Sequence, residues 1–258
     1  MTDFTIAAAQ VPSIRGDIAA NIATHAAAIR AAAEHRVSVL VFPELSLTGY
    51  EPDLAAGLAM AESDTRLGPL RALAQQHGME VVVGAPLQSE HAKPALGAIV
   101  LTPNGETTSY RKMHLGTTER PYFVVGNRPL AIGSSGHTVG LAICADSSHV
   151  SHPQVYAASG ANIYAVGVFM NAEWYATDVP RHAAHAARFG MLVVMANHGA
   201  SIGSYTSVGR STVWRPDGTV LIQSAGTESA LLIATTRDGV WQGELARIAA
   251  PDLMRLKI

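Results

Sequence analysis

The chain of 258 residues is 48% hydrophobic and only 15% charged, with a formal net charge of −2. That balance excludes a disordered chain, and without a Lys/Arg block there is no basic field to hold nucleic acid or an anionic membrane. A single cysteine cannot close an internal disulfide, and no apolar run approaches the roughly 18 residues of a membrane helix.

A soluble protein of the reducing cytoplasm is therefore expected, and the start MTDFTIAAAQ has an early acid where a secretory leader would carry cations. Residues Phe4 to Gln10 read as a buried strand. DIAANIATHAAAIRAAAEHR follows with Ile18, Ile22, His25 and Ile29 at helical spacing. VSVLVFPEL has the β-branched density of a strand covered on both faces and ends at Pro43, which leaves Glu44 just beyond it. A second helix is expected from about Thr65 to His77, stopped by Gly78, before the strand in MEVVVGAP. Asn104-Gly105 and Asp217-Gly218 signal two hairpins, since those pairs tolerate positive φ.

Two further helix-strand pairs follow: SHPQVYAASG with ANIYAVGVF, and RHAAHAARFG with MLVVMAN, the second helix opening at Pro180. No linker or low-complexity tract interrupts the pattern, so residues 1–258 read as a single layered α/β domain.

Three chemically different groups stand where strands run out: Glu44 after VLVFP, Lys112 after TTSYR, and Cys144 after VGLAI. Scaffolds commonly present reactive groups at such ends. Taken singly, Glu44 reads equally as a solvated loop acid, Lys112 as a surface cation and Cys144 as a small buried hydrophobe. Lysine usage changes the weighing, because Lys93, Lys112 and Lys257 are the only lysines among 18 basic residues, leaving fifteen arginines. A lysine kept at a strand end suits a task that a guanidinium cannot perform.

FPELSLTGY (42–50), YRKMHL (110–115) and GLAICADS (140–147) resemble, in this order and spacing, the three signature segments of the nitrilase superfamily of carbon–nitrogen hydrolases. ARFGMLVVMANHG and STVWRPDGTVL resemble the segments that follow. The resemblance implies a four-layer α-β-β-α sandwich, a homo-oligomer, and a triad of Glu44, Lys112 and Cys144. It also implies a second glutamate, for which TTERPYFVVG offers Glu119, with an ordinary loop acid as the competing reading. One departure is plain: Cys-Ala-Asp-Ser-Ser-His replaces the run that follows the cysteine in many amidases, although Asp146 retains the acid.

A thiol with an ordinary pKa near 8.5 needs a base or a neighbouring cation to react at neutral pH. Glu44 supplies the base and Lys112 the charge, while Lys112 and the Ala145 backbone N–H are placed to stabilise an oxyanion. Tyr50, Asp146, His149, Phe169 and Trp174 are the expected substrate contacts, with ordinary packing as the alternative for the three aromatics. The expected partner is a small linear amide, and the chemistry requires no metal or organic cofactor. Hydrolysis of an N-carbamoyl group or a nitrile is the first alternative, and a catalytically silent oligomeric binding protein the second.

Two rival constellations are weaker. Gly199-Ala-Ser-Ile-Gly203 matches the Gly-x-Ser-x-Gly elbow of α/β-hydrolases, but that fold needs a later histidine and none follows His198. It reads as a flexible loop. His149/His152 and His182/His185 stand at i, i+3 without a third ligand pattern, so hydrogen-bonded or solvated histidines are the better reading.

Overall fold

The computed structural model describes residues 3–249. Strand β1 (Phe4–Gln10) is buried along its whole length because alternate side chains enter different cores. Phe4, Ile6 and Ala8 join one core, and Ala7 and Ala9 another. A strand covered on both faces loses the polar/apolar alternation, which explains the continuous apolar run in the sequence.

Helix α1 (Ile18–Glu34) starts where the Asp17 side chain accepts from the Ala20 amide at 3.0 Å. After β2 (Val39–Val41) and the short α2 (Ala55–Leu58) comes α3 (Gly68–His77), ended by Gly78 at φ 63°. Strands β3 (Glu80–Leu87), β4 (Ala95–Leu101) and β5 (Thr107–Arg111) complete the first half. The second half runs β6 (Ala131–Ser134), β7 (His137–Ile143), α4 (Ser151–Ala158), β8 (Ile163–Val168), α5 (Ala172–Phe189) and β9 (Leu192–Asn197). Strands β10 (Thr212–Trp214), β11 (Val220–Gln223), β12 (Ala230–Arg237) and β13 (Val240–Arg247) follow.

These strands form a seven-stranded sheet, β13-β12-β1-β2-β3-β4-β5, and a six-stranded sheet, β11-β10-β9-β8-β7-β6. Each has a parallel centre, β1-β2-β3 in one and β7-β8-β9 in the other, flanked by antiparallel strands. Both Asn-Gly and Asp-Gly pairs turn hairpins, β4–β5 and β10–β11, with Gly105 at φ 86° and Gly218 at φ 85°.

Three cores separate four layers. Val39, Val41, Leu141, Ile143 and Ile163 belong to the core between the sheets. Ile22, Ile29, Leu70 and Leu73 bind α1 and α3 to the outer face of the seven-stranded sheet, and Tyr156, Ala186 and Met195 join α4 and α5 to the six-stranded one. The architecture is the α-β-β-α sandwich.

Helix α5 departs from the expectation at its start. It opens at Ala172, with the Asn171 side chain accepting from the Trp174 amide at 2.8 Å, and carries Pro180 in its interior. Pro180 removes the amide that would pair with the Ala176 carbonyl. Both residues are exposed, so water reaches that carbonyl, and the cap at Asn171 decides where the helix begins.

Candidate active site

The parallel centres of both sheets release their chain at strand C-terminal ends, where open α/β sheets place their ligands. Glu44 lies three residues beyond β2, Cys144 directly after β7, Phe169 directly after β8, and Lys112 directly after β5. To reach its place, the Phe42-Pro43-Glu44 backbone passes between the sheets. A β-carbon on Gly84 of β3 would collide with the Pro43 carbonyl oxygen and lie 2.5 Å from the Leu45 amide nitrogen. On Gly167 of β8 it would stand 2.8 Å from the Phe42 carbonyl oxygen. The two glycines open a slot for the glutamate's own backbone.

Lys112 is wholly buried, yet carries its ammonium among carboxylates. Its Nζ donates to Glu44 Oε1 at 2.7 Å and to Glu119 Oε1 and Oε2 at 2.7 and 2.8 Å. Glu119 also accepts from the Tyr50 hydroxyl at 3.0 Å and the Gly116 amide at 2.8 Å. The second oxygen of Glu44 faces the Phe169 amide at 3.3 Å, while its backbone carbonyl accepts from His198 Nε2 at 2.7 Å.

Cys144 is partly exposed and adopts φ 43°, and Leu45, next to Glu44, has φ 51°. Left-handed backbone at a residue with a β-carbon costs on the order of 1–3 kcal/mol and persists where surrounding contacts impose it. Those contacts are visible around the cysteine: the Ser147 hydroxyl donates to the Cys144 carbonyl at 2.8 Å. Behind it, His182 Nε2 meets the Ser147 hydroxyl at 3.0 Å and His185 Nε2 donates to the Ser147 carbonyl at 2.7 Å.

The charges tune one another. Burial pushes the Glu44 carboxyl up to about 7, against the lowering pull of Lys112 and with a further push from Glu119. Burial alone would depress Lys112, but Glu44, Cys144 and Glu119 outweigh it and raise its pKa. For Glu119, burial is overcome by Lys112, so its pKa falls. Burial, with the Glu44 charge adding to it, holds the Cys144 thiol well above its ordinary value against the lowering pull of Lys112. At rest the site holds a thiol, an ammonium, an ionised Glu119 and a Glu44 poised near neutrality.

Of the remaining expected residues, Ala145 is half-buried beside Cys144. Tyr50 and Phe169 are buried and stacked at 5.0 Å, and Trp174 is half-buried in the first turn of α5. His149 is exposed and stacks on His114 at 4.0 Å. Asp146, expected as a substrate contact, is instead turned inward and fully buried. Its Oδ1 accepts from the Met113 and His114 amides at 3.0 and 2.8 Å and meets His114 Nδ1 at 3.1 Å. Its Oδ2 accepts from the Ile143 amide at 3.0 Å and the Tyr110 hydroxyl at 2.6 Å. So many donors leave no lone pair for a ligand. His182 and His185, read as solvated or bonded helix residues, are buried against the cysteine turn; their pairing at i, i+3 was the visible signal. Tyr110, Ser147 and His198 gave no such signal. The Gly199–Gly203 segment is a loop, closed by paired backbone bonds of 2.9 Å between Ile202 and Tyr205.

A thiol beside a buried base and an ammonium is the equipment of a hydrolase that works through a covalent intermediate. An amidase from Nesterenkonia sp. has a similar structure, with a TM-score of 0.83 and 28% identity over 91% of this chain and 90% of that one. A variant of the Nesterenkonia sp. AN1 amidase (TM-score 0.82, 27% identity, 91% of this chain and 90% of that one) carries the acetamide moiety of fluoroacetamide at its active site cysteine. An (R)-stereoselective amidase of Pseudomonas sp. is 30% identical over 217 residues, covering 83% of this chain and 78% of the relative. Residues 5–242 match the carbon-nitrogen hydrolase family, and the chain belongs to it as an amidase-type enzyme of the nitrilase superfamily.

Proposed function

We propose that the protein hydrolyses a small linear amide through a thioester on Cys144, releasing ammonia and a carboxylic acid. The observation that carries this reading is the fully buried Lys112 ammonium held between Glu44 and Glu119. Sγ attacks the carbonyl carbon as Glu44 takes the thiol proton, and the oxygen becomes an oxyanion facing Lys112 and the Ala145 N–H. One ammonium proton serves Glu44 and one bridges the two Glu119 oxygens, which leaves a third for the oxyanion. Glu44 then protonates the nitrogen, the C–N bond breaks, and ammonia departs. Water attacks the thioester with Glu44 as base, the C–S bond breaks, and the acid leaves with the thiol restored. Glu119 keeps the ammonium oriented. The Tyr50–Phe169 stack and Trp174 wall the acyl side.

Incubation with acetamide, propionamide and acrylamide in the presence of hydroxylamine tests this. Acyl-hydroxamate should form, and intact-mass analysis should find the acyl group on Cys144 and none on Cys144→Ala. Turnover of nitriles or N-carbamoyl compounds alone would replace the amide reading, and no covalent species with any of the three classes would support a silent binding protein. The reading further takes residues 1–258 as one domain of a cytoplasmic homo-oligomer; sedimentation of a monomer would remove the assembly. Among the described residues no helix is long and apolar enough to cross a membrane.

A further inference from the structure

One buried carboxylate touches both halves of the site. Asp146 Oδ1 holds the segment that follows Lys112 through the Met113 and His114 amides, and Oδ2 holds the residue before Cys144 through the Ile143 amide. The two segments come from different sheets, β5 in the seven-stranded and β7 in the six-stranded. We propose that Asp146 is a positioning residue that sets the Lys112 segment against the Cys144 turn, with Tyr110 and His152 as its support. The proposal rests on the reading that Lys112 and Cys144 act on the same substrate atom pair.

The support is a directed chain. Tyr110 spends its one proton on Asp146 Oδ2, so at 2.8 Å it must accept from His152 Nε2, and His152 Nδ1 then accepts from the Tyr164 hydroxyl at 2.9 Å. This chain runs from β5 through α4 to β8, so it too bridges the sheets. Burial lowers the His152 pKa despite the nearby Asp146, which keeps the neutral tautomer that the chain requires. His114, Asp146 and His152 also bring three potential ligand atoms within 4.8 Å of one another. Both Asp146 oxygens already face N–H and O–H donors, and His152 uses both ring nitrogens within the chain, so the cluster fits a hydrogen-bonded brace and not a cation cradle. Closed hydrogen-bond accounts of this kind rigidify a site, and misplacing a catalytic group by about 1 Å costs on the order of 100-fold.

Asp146→Asn and Tyr110→Phe separate positioning from general stability. In Asp146→Asn one side of the side chain becomes an NH2 group, a donor facing the donors it replaced. With whichever of acetamide, propionamide and acrylamide the wild type turns over, kcat should fall roughly 100-fold in Asp146→Asn and about tenfold in Tyr110→Phe, with KM within about twofold. The acid limb of the pH profile should move to higher pH in both, because a displaced Lys112 no longer holds the Glu44 proton affinity down. Folded variants with wild-type kcat and an unmoved limb would overturn the proposal, and Tyr110→Phe decides alone if Asp146→Asn does not fold. A zinc-dependent rise in melting temperature that Asp146→Asn abolishes would also overturn it, assigning the cluster to a metal. The rate of Cys144 alkylation by iodoacetamide against pH, measured on the same proteins, needs no turnover. If the wild type hydrolyses no amide, the parent reading fails, and the alkylation profile still decides: a shift in the variants supports the brace and identical profiles refute it.

Discussion

Lys112 offers the sharpest test at the scale of single residues, because removing it leaves Glu44 and Glu119 buried and facing each other with no counterion among the described residues. Loss of one partner from a buried ion cluster typically costs 3–5 kcal/mol. Lys112→Ala should therefore lower the melting temperature as well as cutting kcat/KM by at least about 100- to 1000-fold, the usual effect of losing an oxyanion donor. Glu44 makes a separate prediction. On the proposed mechanism the free enzyme needs it ionised to accept the thiol proton, and its carboxyl is pushed up to about 7. The expected kcat/KM therefore falls about tenfold per pH unit below that value and levels off above it. A rate flat from pH 5 to 8 would remove Glu44 as the base. The glutamates, lysine and cysteine were legible from segments whose order resembles a family. Asp146 was not, since an acid two residues after the nucleophile looks the same on paper whether it lines a pocket or collects inward-pointing donors.

Elements explain why those residues arrive together, and glycine placement is the controlling detail. Gly84 and Gly167 stand in strand interiors where a side chain would normally help packing, and both are needed because the Glu44 backbone crosses over them. Gly84→Ala and Gly167→Ala should each destabilise by about 1–3 kcal/mol, as overpacked interiors do, and cut activity beyond what residual stability predicts. Chemical denaturation and initial rates on the same samples would check this; full activity in Gly84→Ala would show that the slot has slack. Helix α5 makes the opposite prediction. Pro180→Ala restores the amide for the Ala176 carbonyl, so thermal unfolding should shift upward, with a ceiling near 3 kcal/mol. The element boundaries that sequence periodicity found were those with strong local chemistry: the Gly78 stop, the two hairpins, the apolar strands. The start of α5 was missed because a proline suited to a first turn outweighed an asparagine cap nine residues earlier, which directly follows the apolar run ending in Phe169-Met170.

Across the whole molecule, layers were more legible than closure. Alternating helices and apolar strands announced a sandwich, but the pairing of β1 with β12, Phe4 opposite Thr236, joins positions that no local pattern links. The same packing buries His25, His182 and His198 completely and depresses their pKa values to about 4, 3 and 4, chiefly through desolvation. The unfolded chain binds protons below about pH 6.5 that these rings refuse when folded, so stability is complete above that pH and declines as pH falls toward 4. The decline should reach roughly 3 kcal/mol for each of His25 and His198. Urea midpoints at pH 7.5, 5.5 and 4.5 would show it, and a midpoint unchanged over that span would contradict the burial argument. The passage of Pro43 and Glu44 through the seam between the sheets carries one more consequence. On the proposed mechanism the proton acceptor is clamped by both slabs at once, so its alignment reports their spacing, and altered volume in the core between the sheets, at Val41 or Leu141 for instance, becomes a means of tuning turnover without touching a reacting group.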